Sequence, residues 1–199
     1  MKKIGITGSI GAGKSFVGEI LRLHEYEVLD ADATVHDLYR ENSALRAELV
    51  STFGGDCLTA SGVNRTFFAN LIFTDDSARK KLESIVYPYL TAAVDDFFKA
   101  EVFEKKKDVK FVEAALLAKT PEIVNMLDEI WVVRAPEIIR LERLQKRGLS
   151  LEDAERRIQN QKNICFANSC NSKRVFFIEN YEGNPSLKFQ LEKLLKRPF

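Results

Sequence analysis

Apolar residues gather in five short runs along this chain, at residues 3–7, 27–30, 109–113, 129–134 and 174–179, with helical periodicity between them. Runs of that length suit buried strands, and strands separated by helices build a parallel sheet. The first crossover is a helix over residues 14–24, with Phe16, Val17, Ile20 and Leu21 on its inner side. Two more helices are predicted at 136–146 and 150–162, the second opened by a capping box of Ser150 and Asp153. A last helix starts at Asn184 and Pro185 and turns Leu187, Leu191, Leu194 and Leu195 inward. The pattern predicts an α/β fold in which helices cover a five-stranded parallel sheet.

Between the second and third runs the pattern changes. Residues 33–108 are too long for one crossover and read as several helices with few strand signals, which predicts a helical insertion within a single domain spanning 1–199. Asn42 starts a helix that stops at Gly54 and Gly55, and Pro88 breaks another pair. Leu90, Val94, Phe97 and Phe98 recur at i, i+4, i+7 and i+8, the spacing of a core stripe rather than of ligand contacts. Residues 104–108 form a solvated turn, and residues 148–150 and 165–172 read as loops.

Composition narrows the partners. The 199 residues suffice for one core with a modest insertion, and a net charge of +1 with 30 % charged residues gives no overall basic field for nucleic acid. A small-molecule partner is expected. Cys57, Cys165 and Cys170 are odd in number and lack paired CxxC spacing, as free thiols of a reducing compartment do. No apolar stretch of about 18 residues and no signal region occur. A cytoplasmic protein with no membrane partner is the expectation, and the oligomeric state is left open.

The chemistry starts where the first strand ends, at Gly8-x4-Gly13-Lys14-Ser15. Glycines let the backbone wrap a polyphosphate, Lys14 reaches the β and γ phosphates, and Ser15 holds magnesium. Gly8, Gly11, Ala12, Gly13, Lys14, Ser15 and Phe16 are the candidate nucleotide-binding set, opening onto a helix N-terminus whose partial positive charge favours the anion. Asp30 and Asp32 close the second strand; if the strand continues they point the same way, toward the loop. Asp32 is then either a base for an acceptor hydroxyl or the cap of the next helix. Glu113, at the end of the third run, is either an outer-shell partner of magnesium or an ordinary strand-end carboxylate. Arg140, Arg143 and Arg147 share a helix face, and with Arg156 and Arg157 they either close over the transferring phosphoryl group or form a solvated basic face. His24 and His36 are assigned no chemistry.

Together these residues resemble the dephospho-coenzyme A kinase family. The resemblance is carried by Thr7-Gly-Ser-Ile-Gly-Ala-Gly-Lys-Ser15, Val28-Leu-Asp-Ala-Asp32, residues 64–73, Arg79-Lys-Lys-Leu-Glu83, Glu113-Ala-Ala-Leu-Leu117, Arg140-Leu-Glu-Arg143, Arg147, Gln161 and Ile178-Glu-Asn180. It implies a three-layer P-loop kinase fold with a helical acceptor-binding insertion and a lid over about 140–170. It also implies transfer of the ATP γ-phosphoryl group, with Mg2+, to the ribose 3′-hydroxyl of dephospho-coenzyme A. Under it Asp32 is the general base and Lys14 and Arg143 assist catalysis. Arg147 and Asn180 join the nucleotide site, and Asp30, Arg65, Tyr87 and Leu116 meet the acceptor. Tyr87-Pro88 departs from the family's His-Pro, Glu113-Ala-Ala from its Asp-x-Pro, Lys119 from an acidic residue, Glu179 from an Asp, and Phe16 from a Thr. The alternatives are a P-loop kinase for another small acceptor, such as a nucleoside monophosphate, and a non-catalytic nucleotide switch.

Overall fold

A computed structural model describes residues 1–60, 62–101, 108–115, 117–161, 173–183 and 185–198. The elements run β1 (Lys2–Gly8), α1 (Lys14–Leu23), β2 (Glu27–Asp30), α2 (Ala31–Glu41), α3 (Ser43–Phe53), β3 (Leu58–Thr59), β4 (Gly62–Val63), α4 (Arg65–Thr74) and α5 (Asp76–Lys99). They continue with β5 (Val109–Glu113), α6 (Pro121–Met126), β6 (Glu129–Arg134), α7 (Glu137–Lys146), α8 (Leu151–Gln161), β7 (Arg174–Glu179) and α9 (Leu187–Leu195). Two compact units result, Met1–Leu29 with Glu101–Phe199, and Asp30–Ala100.

In the first unit the sheet order is β2-β5-β1-β6-β7, with β1 parallel to β5 and β6, and β6 parallel to β7. All five predicted runs are its strands. Ile4 and Ile6 of β1 meet Val17 and Leu21 of α1, Phe111 of β5, Trp131 of β6 and Leu191 of α9 in one core. Phe111 and Trp131 hold ring centroids 5.2 Å apart, and Tyr26 stands edge-on to Phe111 at 5.6 Å. Each such side chain contributes about 1.5–3 kcal/mol by leaving water. The register sets Ile6 beside Glu113, Gly8 beside Val133 and Arg134 beside Glu179. The carboxyl ends of these strands therefore share one edge, where open α/β sheets take their ligands.

Three local expectations shift in this unit. Phe16 is 53 % exposed, and the inner face of α1 is Val17, Gly18 and Leu21. Its spacing fits either side of the stripe, and the 100° step per residue turns it outward. The cap of α9 is Ser186, whose hydroxyl accepts from the Phe189 N–H at 3.3 Å; Asn184 lies outside the described residues. Ser150 accepts from Asp153 N–H at 3.1 Å, but the Asp153 carboxylate pairs with Arg156, so only half of the capping box forms. Cys165, Cys170, Lys162, the loop at 165–172 and residues 104–107 also lie outside the described residues.

The second unit is built on α5, with Leu82, Ile85 and Val86 packed against Leu45 and Leu49 of α3, Phe68 of α4 and the free thiol of Cys57. Phe68 receives Phe53 and Phe67 edge-on at 5.1 and 5.2 Å. Asn42 caps α3, accepting from Leu45 N–H at 2.8 Å, and Gly54 at φ +84° ends it, as predicted. Leu90, Val94 and Phe98 are buried and Phe97 is half-buried, in keeping with a core stripe.

Pro88 does not break the chain into two helices; it sits inside the 24-residue α5. Its ring removes the donor for the Ser84 carbonyl, but both residues face solvent, where an unpaired carbonyl costs least. The buried stripe from Leu82 to Phe98 continues past it and holds the helix together. The small antiparallel pair β3-β4 was not legible, because two residues per strand give no alternation to read.

Candidate active site

Between β1 and α1 the backbone turns inward. Ala12 N–H donates to the Ser9 carbonyl at 3.0 Å, and Gly11 and Gly13 take φ of +79° and +96°, a region that costs any residue with a Cβ. Gly13 is the residue before α1, so the loop leads directly into the N–H groups of the first helical turn.

What holds this loop comes from distant parts of the chain. Arg143 on α7 donates Nη1 to the carbonyls of Gly11 and Ala12 at 3.2 and 3.1 Å, and Nη2 to the Asn180 carbonyl at 2.7 Å. The Asn180 side-chain amide donates to the Ala12 carbonyl at 2.8 Å, and Gln161, the last residue of α8, accepts from Ile10 N–H at 2.7 Å. Arg143 and Asn180 thus draw carbonyls outward, which leaves N–H groups for an anion. The cavity in front of the loop measures about 230 Å³ and is lined by Gly8, Gly13, Lys14 and Ser15 together with Ala115, Arg147 and Gln161.

Lys14, only 12 % exposed, donates Nζ to Oε1 of the fully buried Glu113 at 2.8 Å. Oε2 of Glu113 makes no hydrogen bond and lies 3.6 Å from Nη2 of Arg22. An ammonium held on a buried carboxylate beside an N–H cradle is placed to pair with phosphate. A divalent cation carried by phosphates needs one or two protein ligands; the Ser15 hydroxyl on the cavity wall fits that demand, whereas Glu113 is fully buried on Lys14 and is not among the residues lining the cavity. Among the described residues no group of three or more His, Cys, Asp or Glu gathers into a metal site of its own.

The structure separates the predicted site residues. Gly8, Gly11, Gly13, Lys14, Ser15 and Arg147 line the cavity; Arg143 and Asn180 hold the loop through the buried Ala12 carbonyl; Phe16 faces solvent and does not line it. Arg156 pairs with Asp153 on the exposed side of α8, and Arg157 is exposed. Sequence spacing missed the role of the Arg140 main chain, which crosses Gly11 so closely that a Cβ there would come within 2.9 Å of its carbonyl oxygen. Leu116 lies outside the described residues.

The chain enters the second unit at Asp30, the last residue of β2, whose carboxylate caps α2 by accepting from Ala33 N–H at 3.0 Å. The strand does not continue, so the expectation that Asp30 and Asp32 share a direction by strand alternation fails. Asp30 is the cap, and Asp32 lies exposed in the first helical turn, where a negative charge is favoured by the helix dipole. Arg65 opens α4 and its guanidinium stands 3.4 Å from the His36 ring. Burial pushes the Tyr39 phenol up to about 12 while the Arg65 charge pulls it back in part. Tyr87 is raised as well, first by burial and then by the charge and hydrogen bond of Glu83, which is itself paired with Arg79 at 3.1 Å. The motif residue Asn64 serves the structure, since its Oδ1 accepts from Phe67 N–H to cap α4.

Comparison with known proteins gives consistent relatives. The family model described as dephospho-CoA kinase matches residues 2–168. A dephospho-CoA kinase of Staphylococcus aureus (strain bovine RF122 / ET3-1) is 32 % identical over 197 residues, 98 % of this chain and 92 % of that protein. One from Aquifex aeolicus (strain VF5) is 38 % identical over 163 residues, 81 % of each. Among solved structures, a Thermus thermophilus protein superposes with a TM-score of 0.78 at 29 % identity, covering 98 % of this chain and 96 % of the other. Campylobacter jejuni dephospho-CoA kinase gives a TM-score of 0.67 at 24 % identity with the same coverage. A shikimate kinase from Acinetobacter baumannii, at 0.52 and 17 % over 98 and 92 %, shares the fold.

Proposed function

Since this chain belongs to the dephospho-CoA kinase family, we propose residue roles for the transfer of the ATP γ-phosphoryl group to the ribose 3′-hydroxyl of dephospho-coenzyme A. The chain is an ATP-dependent kinase acting in coenzyme A biosynthesis, on a P-loop kinase fold. The observation that carries these roles is Lys14 held on the buried Glu113 beside the N–H groups of the loop.

Lys14 and the loop N–H groups bind the β and γ phosphates, and Arg147 adds positive charge on the cavity wall. The Ser15 hydroxyl would hold a magnesium ion carried by the nucleotide, which would neutralise charge that builds on the phosphates. Arg143, Asn180 and Gln161 keep the loop in its receiving shape, so that binding needs little reorganisation. Asp32, exposed at the start of α2, accepts the proton of the acceptor hydroxyl. The helical unit 30–100, with Arg65 and Tyr87, binds the acceptor, and α7 with α8 forms the lid. No helix among the described residues is long and apolar enough to cross a membrane.

The test is ADP release from magnesium-ATP with dephospho-coenzyme A, beside nucleoside monophosphates and shikimate. Turnover with dephospho-coenzyme A alone is expected; turnover confined to another acceptor overturns the assignment.

A further inference from the structure

The carboxylate of Glu113 has two sides with different partners. Oε1 holds Lys14 at 2.8 Å; Oε2, buried and without a hydrogen bond, faces Arg22 Nη2 at 3.6 Å. Arg22 meanwhile donates Nε and Nη2 to the Val28 carbonyl at 3.3 and 3.2 Å, long bonds for a guanidinium. Between the two groups lies Gly18. A Cβ at this position would come within 2.5 Å of Oε2 and 3.3 Å of Arg22 Nη1, so glycine, a poor helix former, keeps the gap between carboxylate and guanidinium open.

The geometry sets two demands on one ammonium. Lys14 neutralises a carboxylate that is fully buried, and the role proposed above sends the same Nζ to the phosphates. A buried charge deprived of its partner is strongly disfavoured, so nucleotide binding needs a replacement cation at Glu113. We propose that Arg22 is a positioning residue that takes over the Glu113 carboxylate through Oε2 as Lys14 turns to the phosphates. A closure of less than about 1 Å brings the pair from 3.6 Å to the length of a charge-assisted bond. Arg22 touches no phosphate in this scheme; it acts by freeing Lys14, which couples the two sites. The proposal rests on the reading of Lys14 as the phosphate-binding lysine.

The experiment is calorimetric titration with ADP in the presence of a metal chelator, which removes magnesium as an alternative counter-charge. Wild type, Arg22→Gln, Arg22→Lys, Glu113→Gln and the Arg22→Gln/Glu113→Gln double variant are compared, each with its thermal unfolding midpoint recorded without nucleotide. Arg22→Gln is expected to bind ADP about 10-fold more weakly, with its nucleotide-free midpoint within about 2 °C of wild type. Arg22→Lys restores most of the affinity, and in the Glu113→Gln background removal of Arg22 costs no affinity, because no carboxylate remains to be held. Equal ADP affinity of Arg22→Gln and wild type overturns the hand-over, as does an undiminished loss in the Glu113→Gln background. A wild type that fails to bind ADP overturns the phosphate-loop reading itself, and the hand-over with it.

Discussion

The side-chain amide of Asn180 donates to the main-chain carbonyl of Ala12 at 2.8 Å, joining the carboxyl end of β7 to the phosphate loop. The Asn180 carbonyl accepts from Arg143, which also holds the Gly11 and Ala12 carbonyls, so one network spans three distant segments. Its effect is to fix which way the loop peptides point before any ligand arrives.

Asn180→Ala removes the amide and leaves the buried Ala12 carbonyl with Arg143 as its side-chain donor. A stability loss of about 1 kcal/mol is expected, with ADP affinity reduced about 5- to 10-fold. Hydrogen exchange of the amides in residues 9–13 should quicken in the same variant. Unchanged exchange there would show that Asn180 does not set the loop.

Lys14→Met is expected to abolish nucleotide binding while Arg22 closes on Glu113 and limits the loss of stability; Lys14→Met/Arg22→Gln, which removes both cations from the buried carboxylate, is expected to lose about 3 kcal/mol more. Denaturant unfolding of the two variants checks this, and equal stabilities would mean that Glu113 is compensated by another group.

Asp32→Asn keeps the first-turn position on α2 and removes the base. The expected outcome is retained ADP binding with kcat lowered about 100-fold or more. Near-normal turnover would return Asp32 to a helix-dipole role alone.

The helical unit should lose stability at high pH. Unfolded tyrosine titrates near 10, whereas the Tyr39 phenol is held up to about 12 by burial and Tyr87 is raised in the same direction. Below pH 10 both folded and unfolded chains keep these protons, and the contribution is whole. From pH 10 toward 12 the unfolded chain loses them first, and stability falls by up to about 1.4 kcal/mol per pH unit for each tyrosine. Denaturant unfolding at pH 8 and 11 measures the fall, which Tyr39→Phe should reduce. A fall of the same size in Tyr39→Phe would assign it to other groups.

Much of this molecule was legible before folding was considered. The five apolar runs became five strands; β1, β5 and β6 read as apolar runs because they are buried along most of their length, while the edge strands β2 and β7 are only partly buried. The loop was legible because phosphate chemistry demands particular residues at fixed local steps. Asn42 and Gly54 were legible as helix ends, since capping acts over three or four residues.

The failures share a cause. Whether Asp30 and Asp32 point together depended on where β2 ends, and the bond from Ala33 N–H to Asp30 ended it two residues before the alternation could apply. Pro88 reads as a helix end by local rule, yet the packing of one face of α5 outweighs the single lost bond. Charge spacing on α7 placed Arg143 on a face with Arg140 and Arg147, but its guanidinium turns to main-chain carbonyls of the loop.

The order of strands and helices, the phosphate loop and the caps were determined by the sequence itself, because they depend on residues within a turn or a strand of one another. Tertiary structure alone decided that Glu113 carries Lys14 on one oxygen and faces Arg22 with the other, that Gly18 leaves room between them, and that Asn180 and Arg143 shape the loop. These contacts join residues up to 168 positions apart, and which of many charged and amide groups meet is set by packing of the sheet and its helices, not by any local preference.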